Sequence, residues 1–351
     1  MEKGHKGEKM KQERKKRSLK RAAAMLLVLS LVMMQLAGCG KSDAEKELVN
    51  VKLNEVAHSI FYAPQYVAIE NGYFEEEGIK IDLVNGAGAD NVMTAVLSGE
   101  ADIGFMGSEA SIYVYNEGSG EKIVNFAQLT QRAGNFLVAR EKDEAFAWEK
   151  LKGKTVLAGR KGGMPQMVFE YILKKNNIDP GKDLTMVQNI DFGLTAEAFA
   201  SGQGDYSVEF EPFAASLEKE GKGTVVASLG VESGNVPYTA YSAKESYIAE
   251  HGEIIQKFTN ALQKGMDFVS SHSPAEIAKV IQPQFAETEL DVLTTIVERY
   301  HKQGTWKENL VFEEDSFTLL QDVLESGGEL TKRVPYEELV NTAFAKKACE
   351  K

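Results

Sequence analysis

Two carboxylates, a set of aromatic rings and a pair of glycine N–H groups are the residues of this chain best suited to chemistry, that of hydrogen bonding, ring stacking and anion contact. Glu209 and Glu211 flank Phe210 in Glu209-Phe210-Glu211-Pro212. In an extended segment such alternation sends the two side chains to opposite faces, so one of them is expected to reach a cleft. A carboxylate there accepts hydrogen bonds from ring amino groups and repels a sulfonate or nitrate; the competing role is a salt bridge within the lobe. Phe61, Tyr62, Phe192 and Tyr238 fall at predicted loop positions. Each can stack on a flat ring, an interaction worth roughly 0.5 to 1.5 kcal/mol beyond area burial, or can serve as a packing aromatic. Gly162-Gly163-Met164-Pro165 reads as a helix start beside Arg160 and Lys161. Free backbone N–H groups at such an end suit a carboxylate, sulfonate or phosphate, although every helix start has some anion affinity.

Residue types that support catalysis are scattered. Of five histidines, His5, His58, His251, His272 and His301, only His58 lies near a predicted cleft loop, where hydrogen bonding or packing competes with a role at the ligand. No His/Cys/Asp/Glu grouping has metal-ligand spacing, and neither a Walker sequence nor Gly-x-Ser-x-Gly occurs. The expectation is a binding protein with no catalytic residue, no metal and no cofactor.

Cys39 carries a different chemistry. It ends Leu36-Ala37-Gly38-Cys39, behind 17 uncharged residues from Ala22 to Gly38 and a basic stretch, Met1 to Arg21, with ten Lys and Arg against three Glu. The apolar run is short for a permanent span of about twenty residues but fits a signal-peptide core. The sequence around Cys39 resembles the lipobox of bacterial lipoproteins. That resemblance implies cleavage after residue 38, acylation of Cys39, and attachment to the outer face of the bacterial cytoplasmic membrane, with residues 39–48 as lipidated cysteine and tether. An ordinary signal peptide or an uncleaved anchor is the alternative. Removal of residues 1–38 leaves 30 Lys and Arg against 49 Asp and Glu, a net charge of −19, which argues against nucleic acid as a partner. With Cys39 acylated, Cys349 has no intramolecular disulfide partner, and a monomer is expected.

A repeat locates the elements that must position these residues. Ala95-Val96-Leu97-Ser98-Gly99-Glu100-Ala101-Asp102 recurs 103 positions later as Ala198-Phe199-Ala200-Ser201-Gly202-Gln203-Gly204-Asp205. At the same offset Glu117-Gly118-Ser119-Gly120 aligns with Glu220-Gly221-Lys222-Gly223, and Ile123 to Phe126 with Val226 to Leu229. Upstream, Ala63-Pro64-Gln65-Tyr66-Val67 aligns with Met164-Pro165-Gln166-Met167-Val168 at an offset of 101. Each copy reads as a strand (Val51 to Val56; Thr155 to Gly159), a loop, and a helix with proline in its first turn, where the missing N–H is harmless. Helices Asp90 to Leu97 and Leu194 to Ala200 follow, then strands Asp102 to Met106 and Tyr206 to Phe210. Alternating strands and helices predict parallel sheets covered on both faces, hence two α/β lobes. Beyond Tyr247 the apolar spacing is helical, and Ser273-Pro274 starts a further helix.

Ligands of open parallel sheets bind beyond the carboxyl ends of the strands. In the first lobe those loops hold Ser59, Phe61 and Tyr62, then Gly86, then Met106 and Ser108. In the second they hold Gly162, Gly163 and Met164, then Phe192, then Glu209 and Glu211. Gln128 begins the candidate first crossing between lobes, Gln128-Leu129-Thr130-Gln131, and Gly234 to Thr239, with Tyr238, is the candidate return. The expected division is 49–128 with 239–351 as lobe 1, and 129–238 as lobe 2.

In this order and spacing, Tyr66 to Ile79 with its Gly72-Tyr73-Phe74 turn, Leu97 to Gly104, His272-Ser273-Pro274-Ala275-Glu276 and Val334-Pro335-Tyr336 resemble the substrate-binding proteins of ABC importers. The likeness covers nearly all of the exported portion and lies with the branch that handles nitrate, taurine, alkanesulfonates and thiamine-precursor pyrimidines. It implies a two-lobed, type II periplasmic-binding-protein-like α/β fold with parallel-rich sheets, helices on both faces and C-terminal helices packed back across the lobes. It also implies a small-molecule ligand held by lobe closure, delivery to ABC permease subunits, and no reaction. Among ligands, an amino-substituted heterocycle such as a thiamine-precursor pyrimidine is favoured over a sulfonate, taurine or nitrate anion, with flavin-like ligands also open. A fungal pyrimidine-synthesising enzyme resembles the same fold but uses a Cys-rich stretch that is missing here. A tethered sensor is the third class.

Overall fold

The β-prone runs assemble into two five-stranded sheets within Leu48–Lys351. The computed structural model describes Arg14 and residues 48–350 apart from 119, 191 and 192. Cys39 and Phe192 therefore lie outside the described residues. The strands are β1 (Val49–Glu55), β2 (Ile79–Asn85), β3 (Ile103–Gly107), β4 (Ile123–Thr130), β5 (Phe136–Ala139), β6 (Thr155–Leu157), β7 (Thr185–Val187), β8 (Tyr206–Glu209), β9 (Thr224–Ser228) and β10 (Thr239–Lys244). One sheet has the order β2-β1-β3-β10-β4 and the other β7-β6-β8-β5-β9.

Both sheets are mixed, with two parallel and two antiparallel pairings in each. β1 runs parallel to β2 and β3, and β6 parallel to β7 and β8, but β10 is antiparallel to β3 and β4, as β5 is to β8 and β9. The cause is topological. β5 is the first strand after the chain leaves the first sheet, and β10 the first after it returns, so each enters its sheet against the direction set by the βαβ units. The crossings are residues 131–135 and 234–238, between β4 and β5 and ahead of β10. Gln128 and Thr130 belong to β4, so the first crossing begins three residues later than the sequence suggested.

The repeat has a hydrogen-bonded meaning. Asp102 Oδ2 accepts the Lys52 N–H at 2.8 Å, and Asp205 Oδ2 accepts the Thr155 N–H at 2.8 Å. In return the Asp102 N–H donates to the Lys52 carbonyl at 3.0 Å and the Asp205 N–H to the Thr155 carbonyl at 2.7 Å. Each aspartate thus locks the strand it precedes, β3 or β8, beside the first strand of its unit. Gly99 and Gly202 both take positive φ, 81° and 109°, where a side chain would be strained. The helices ahead of them span Ala89–Ser98 and Thr195–Ala200, and the helices Ala63–Glu70 and Met164–Lys175 both carry proline in the first turn.

The C-terminal helices brace both sheets. Helix Gly252–Ser271 buries Ile255, Phe258, Leu262 and Met266, and lies on helix Ala63–Glu70 so closely that a Cβ on Gly265 would stand 2.3 Å from the Pro64 carbonyl oxygen. Ser273 and Glu276 form a capping box at the start of helix Pro274–Ile281. Helix Leu290–Lys302 sends Tyr300 to the first crossing, where its hydroxyl donates to the Gly134 carbonyl at 3.1 Å. Helix Glu314–Gly327 reaches the second sheet's layer, with the Lys174 ammonium of helix Met164–Lys175 donating to the Ser326 carbonyl. The division at residue 239 therefore separates strands, while the helices beyond it touch both layers.

Candidate functional site

A cavity of about 890 Å³ lies where the carboxyl-end loops of both sheets meet. The first sheet's loops and the helices after them supply Val56, Ser59, Tyr62, Gly88, Asp90, Met93, Gly107, Glu109 and Tyr113; the second sheet's supply Gly159, Lys161, Gly162, Gly163, Ile190, Gly193, Thr195, Glu209, Phe210 and Phe213; the crossings supply Asn135 and Tyr238. The repeat explains this convergence, because β3 and β8 end at equivalent positions and each opens into a loop facing the same space.

The predicted site residues divide cleanly by position. Ser59, Tyr62, Gly162, Gly163, Met164, Glu209 and Tyr238 line the cavity, whereas Phe61, Gly86, Met106, Ser108, Gln128 and Glu211 do not. Phe61 is fully buried behind the wall, with ring centroids 5.2 to 5.8 Å from Tyr62, Phe210, Tyr238 and Tyr300. Gly86 is a packing glycine: a Cβ would stand 2.5 Å from Asn54 Oδ1 and 2.8 Å from Val92. Met106 packs with Val92 and Val96 beneath helix Ala89–Ser98. The Ser108 hydroxyl donates to the Pro237 carbonyl at the return crossing, and Gln128 Nε2 donates to the Thr130 carbonyl at 3.0 Å.

Alternation separates the two glutamates as the extended segment requires. Glu209 faces the cavity wall, 2% exposed. Thr195 Oγ1 donates to its Oε2 at 3.1 Å and the Ser207 hydroxyl donates to its other oxygen. Burial pushes its carboxyl up to about 7 against these two donors. Glu211 turns the other way and pairs with Arg299, while the Ala215 N–H donates to its Oε2 at 2.9 Å. Burial raises the Glu211 carboxyl and Arg299 opposes that.

The glycine pair differs from the expected anion cradle. The Gly162 N–H donates to Gln166 Oε1 at 2.9 Å, and the Gly163 N–H to the Arg160 carbonyl at 3.2 Å. Arg160 itself reaches across the cavity mouth to Asp90. The donors that would have met an anion at these two glycines are used by the chain.

Several lining residues escaped the sequence reading. Tyr113 crosses the mouth, its hydroxyl donating to the Gly162 carbonyl at 3.3 Å. Phe213 contributes a half-exposed ring, and Phe210 lines the wall with Tyr62 and Tyr238. Glu109, at the first position of helix Glu109–Asn116, is 4% exposed, and burial pushes its carboxyl up to about 8. Asn135 accepts the Tyr238 hydroxyl on Oδ1 at 2.8 Å. The repeat pointed to Gly107 and its neighbours, and Glu109 stands just beyond the aligned segment; Asn135 sits in a crossing with no counterpart in either copy.

Behind the wall, His58 bridges Glu55 at 2.8 Å and the Gln284 carbonyl at 2.9 Å. Glu55, fully buried at the end of β1, also accepts Gln65 Nε2 at 2.7 Å and the Tyr66 hydroxyl at 2.8 Å. The Ser59 N–H donates to Tyr66 Oη at 3.2 Å, and Ser59 Oγ donates to the Glu211 carbonyl at 3.2 Å. This network fixes the Ser59 to Tyr62 loop and ties it to the opposing sheet's loop. Among the described residues no His/Cys/Asp/Glu group could hold a metal ion, and no helix is long and apolar enough to cross a membrane.

Known proteins share this architecture. A family model described as NMT1/THI5 like matches residues 60–277. YtlA of Bacillus subtilis, named as a binding protein, is 49% identical over 316 residues, 90% of this chain and 94% of the relative. The formylaminopyrimidine-binding protein of Halalkalibacterium halodurans is 24% identical over 339 residues, 85% of this chain and 98% of that protein. Among solved structures, the alkanesulfonate-binding protein SsuA from Xanthomonas axonopodis pv. citri, bound to MOPS, matches with a TM-score of 0.67 at 18% identity, covering 85% of this chain and 99% of that one. At that identity the likeness establishes the two-lobed periplasmic-binding-protein fold.

Proposed function

The chain belongs to the NMT1/THI5-like family, and from that premise we propose that it is the substrate-binding component of an ABC importer, working outside the cytoplasm. Loops of both sheets enclose one cavity whose volume, about 890 Å³, falls in the range of small-molecule sites, roughly 300 to 1,000 Å³. Rotation of the lobes about residues 131–135 and 234–238 would open and close it, and the closed form would be what the permease recognises. The relatives named as binding proteins support binding without catalysis.

The ligand we favour is an amino-substituted heterocycle such as a thiamine-precursor pyrimidine. The observation that carries this reading is Glu209, a buried carboxyl oriented by Thr195 on a wall that also presents Phe210 and Tyr238. Because its carboxyl titrates near neutrality, it can donate its O–H to a ring nitrogen when protonated and accept from an amino group when ionised. A sulfonate-type anion is the second reading, favoured by Lys161 on the cavity wall and by the relationship to a sulfonate-binding fold. Against it, the N–H groups of Gly162 and Gly163 are already engaged.

Mass spectrometry of the small molecules released from the protein purified out of its native membranes would test this assignment. An aminopyrimidine supports it; a sulfonate would overturn it in favour of the second reading. Attachment through Cys39 is part of the proposal, and Cys39→Ala is expected to shift the protein from the membrane to the soluble fraction.

A further inference from the structure

Among the described residues, four buried side-chain polar atoms have no hydrogen-bond partner: Asn54 Oδ1, Arg132 Nε, Glu109 Oε2 and Asn135 Nδ2. The residues of the last two line the cavity. Folded proteins pair nearly all of their buried polar groups, so each exception calls for a cause. An unpaired carboxyl oxygen and an unpaired amide N–H, both on residues that line one cavity, specify the complement that would satisfy both.

Each group is held in place by its surroundings. The other Glu109 oxygen is stabilised by the residue's own backbone N–H, and the carboxyl folds over Gly107, where an added Cβ would stand 2.1 Å from Oε2. Only a residue without a side chain leaves that space. Asn135 is fully buried in the first crossing. Its Oδ1 takes the Tyr238 hydroxyl, which sets the amide orientation and leaves Nδ2 as the open atom. The titratable groups that sense Glu109 are Asp90, itself paired with Arg160, and the phenols of Tyr62, Tyr113 and Tyr238.

Resting on the reading of this cavity as the ligand site, we propose that Glu109 and Asn135 both contact the ligand: the buried Glu109 carboxyl passes its proton to a basic ring nitrogen and Oε2 accepts the resulting N–H, while Asn135 Nδ2 donates to a nitrogen or oxygen of the ligand. The class that fits is a planar amidine-like or aminopyrimidine-like edge, with an amino group beside an acceptor atom. A sulfonate offers acceptors alone and has no basic nitrogen to take the Glu109 proton. The subsite is distinct from Glu209, which approaches from the loop of the opposite sheet.

The test uses the full chain in mild detergent, titrated calorimetrically with 4-aminopyrimidine, unsubstituted pyrimidine and methanesulfonate, with the Asn135 side-chain amide resonances followed by NMR. Glu109→Leu removes the acceptor. Gly107→Ala leaves Glu109 in the sequence but displaces its carboxyl, and melting temperatures verify folding of both variants. Wild type is expected to bind 4-aminopyrimidine at least tenfold more tightly than pyrimidine, to shift the Asn135 amide signals, and to lose that preference in both variants. Preference retained in both variants would overturn the subsite while leaving the cavity as the ligand site. Failure of wild type to bind 4-aminopyrimidine, or tighter binding of methanesulfonate, would overturn the subsite and the ligand class together.

Discussion

The hydroxyls of Thr130 and Thr239 lie 2.6 Å apart, and the Thr239 N–H donates to Thr130 Oγ1 at 3.0 Å. Thr130 ends β4 as the chain leaves the first sheet, and Thr239 opens β10 as it returns. The two crossings are thereby clamped together at their base, in a site buried from solvent. Thr130→Val keeps the shape but strands the Thr239 donors, so the account predicts a loss of about 1 to 3 kcal/mol in unfolding free energy, read by urea denaturation.

Two contacts span the cavity mouth, and they differ in worth. Arg160 and Asp90 are both largely exposed, so Arg160→Ala is expected to change ligand affinity little and that little should vanish at high salt. The Tyr113 hydroxyl reaches the Gly162 carbonyl from a half-buried position. Tyr113→Phe should weaken closure by about 1 kcal/mol, several-fold in affinity and independent of salt. Calorimetric titration at two ionic strengths checks both.

Glu209 and Glu211 are predicted to separate binding from stability. Glu209→Gln should lower affinity for an amine-bearing ligand by about 1.5 to 3 kcal/mol with little change in melting. Glu211→Gln breaks the pair with Arg299, and should destabilise the fold by a similar amount while leaving affinity near wild type. Parallel melting and titration of the two variants decides this.

Stability should fall as pH rises from about 4.5 to 8. Burial pushes Glu109 up to about 8 and Glu209 up to about 7, so in that window the native state holds protons that the unfolded chain has released, and unfolding gains as they leave. His58 acts in the same direction. Its hydrogen bond to Glu55 raises its pKa, so its contribution is complete below the unfolded value of about 6.5 and is lost as pH rises through its folded one. Glu109→Gln should flatten the slope between pH 4.5 and 8, as followed by denaturation at a series of pH values.

The sequence made the repeated architecture visible because its signals are local. Asp102 and Asp205 with their preceding glycines, and prolines 64 and 165 at helix starts, are demanded by hydrogen bonds and dihedrals within one copy. The mixed sheets were not visible in this way, since the direction of β5 and β10 depends on where the chain crosses and returns. Half of the site was legible for the same reason: Glu209 and Gly162 lie on loops the repeat locates. Phe61 and Glu211 were harder to place, because residue type gives no sign that one packs behind the wall and the other pairs with Arg299, 88 positions away. Asn135 gave no signal at all, because its role arises only where the crossing meets Tyr238.

The most direct test of the central claim is a thermal-shift titration of the full chain against thiamine-precursor pyrimidines, thiamine, riboflavin, taurine, alkanesulfonates and nitrate. A ligand at 100 times its Kd stabilises the native state by about 2.7 kcal/mol, which must raise the melting temperature. The account predicts a concentration-dependent rise with an aminopyrimidine, reduced in Glu209→Gln. A rise with sulfonates alone, or one that Glu209→Gln leaves unchanged, would contradict it.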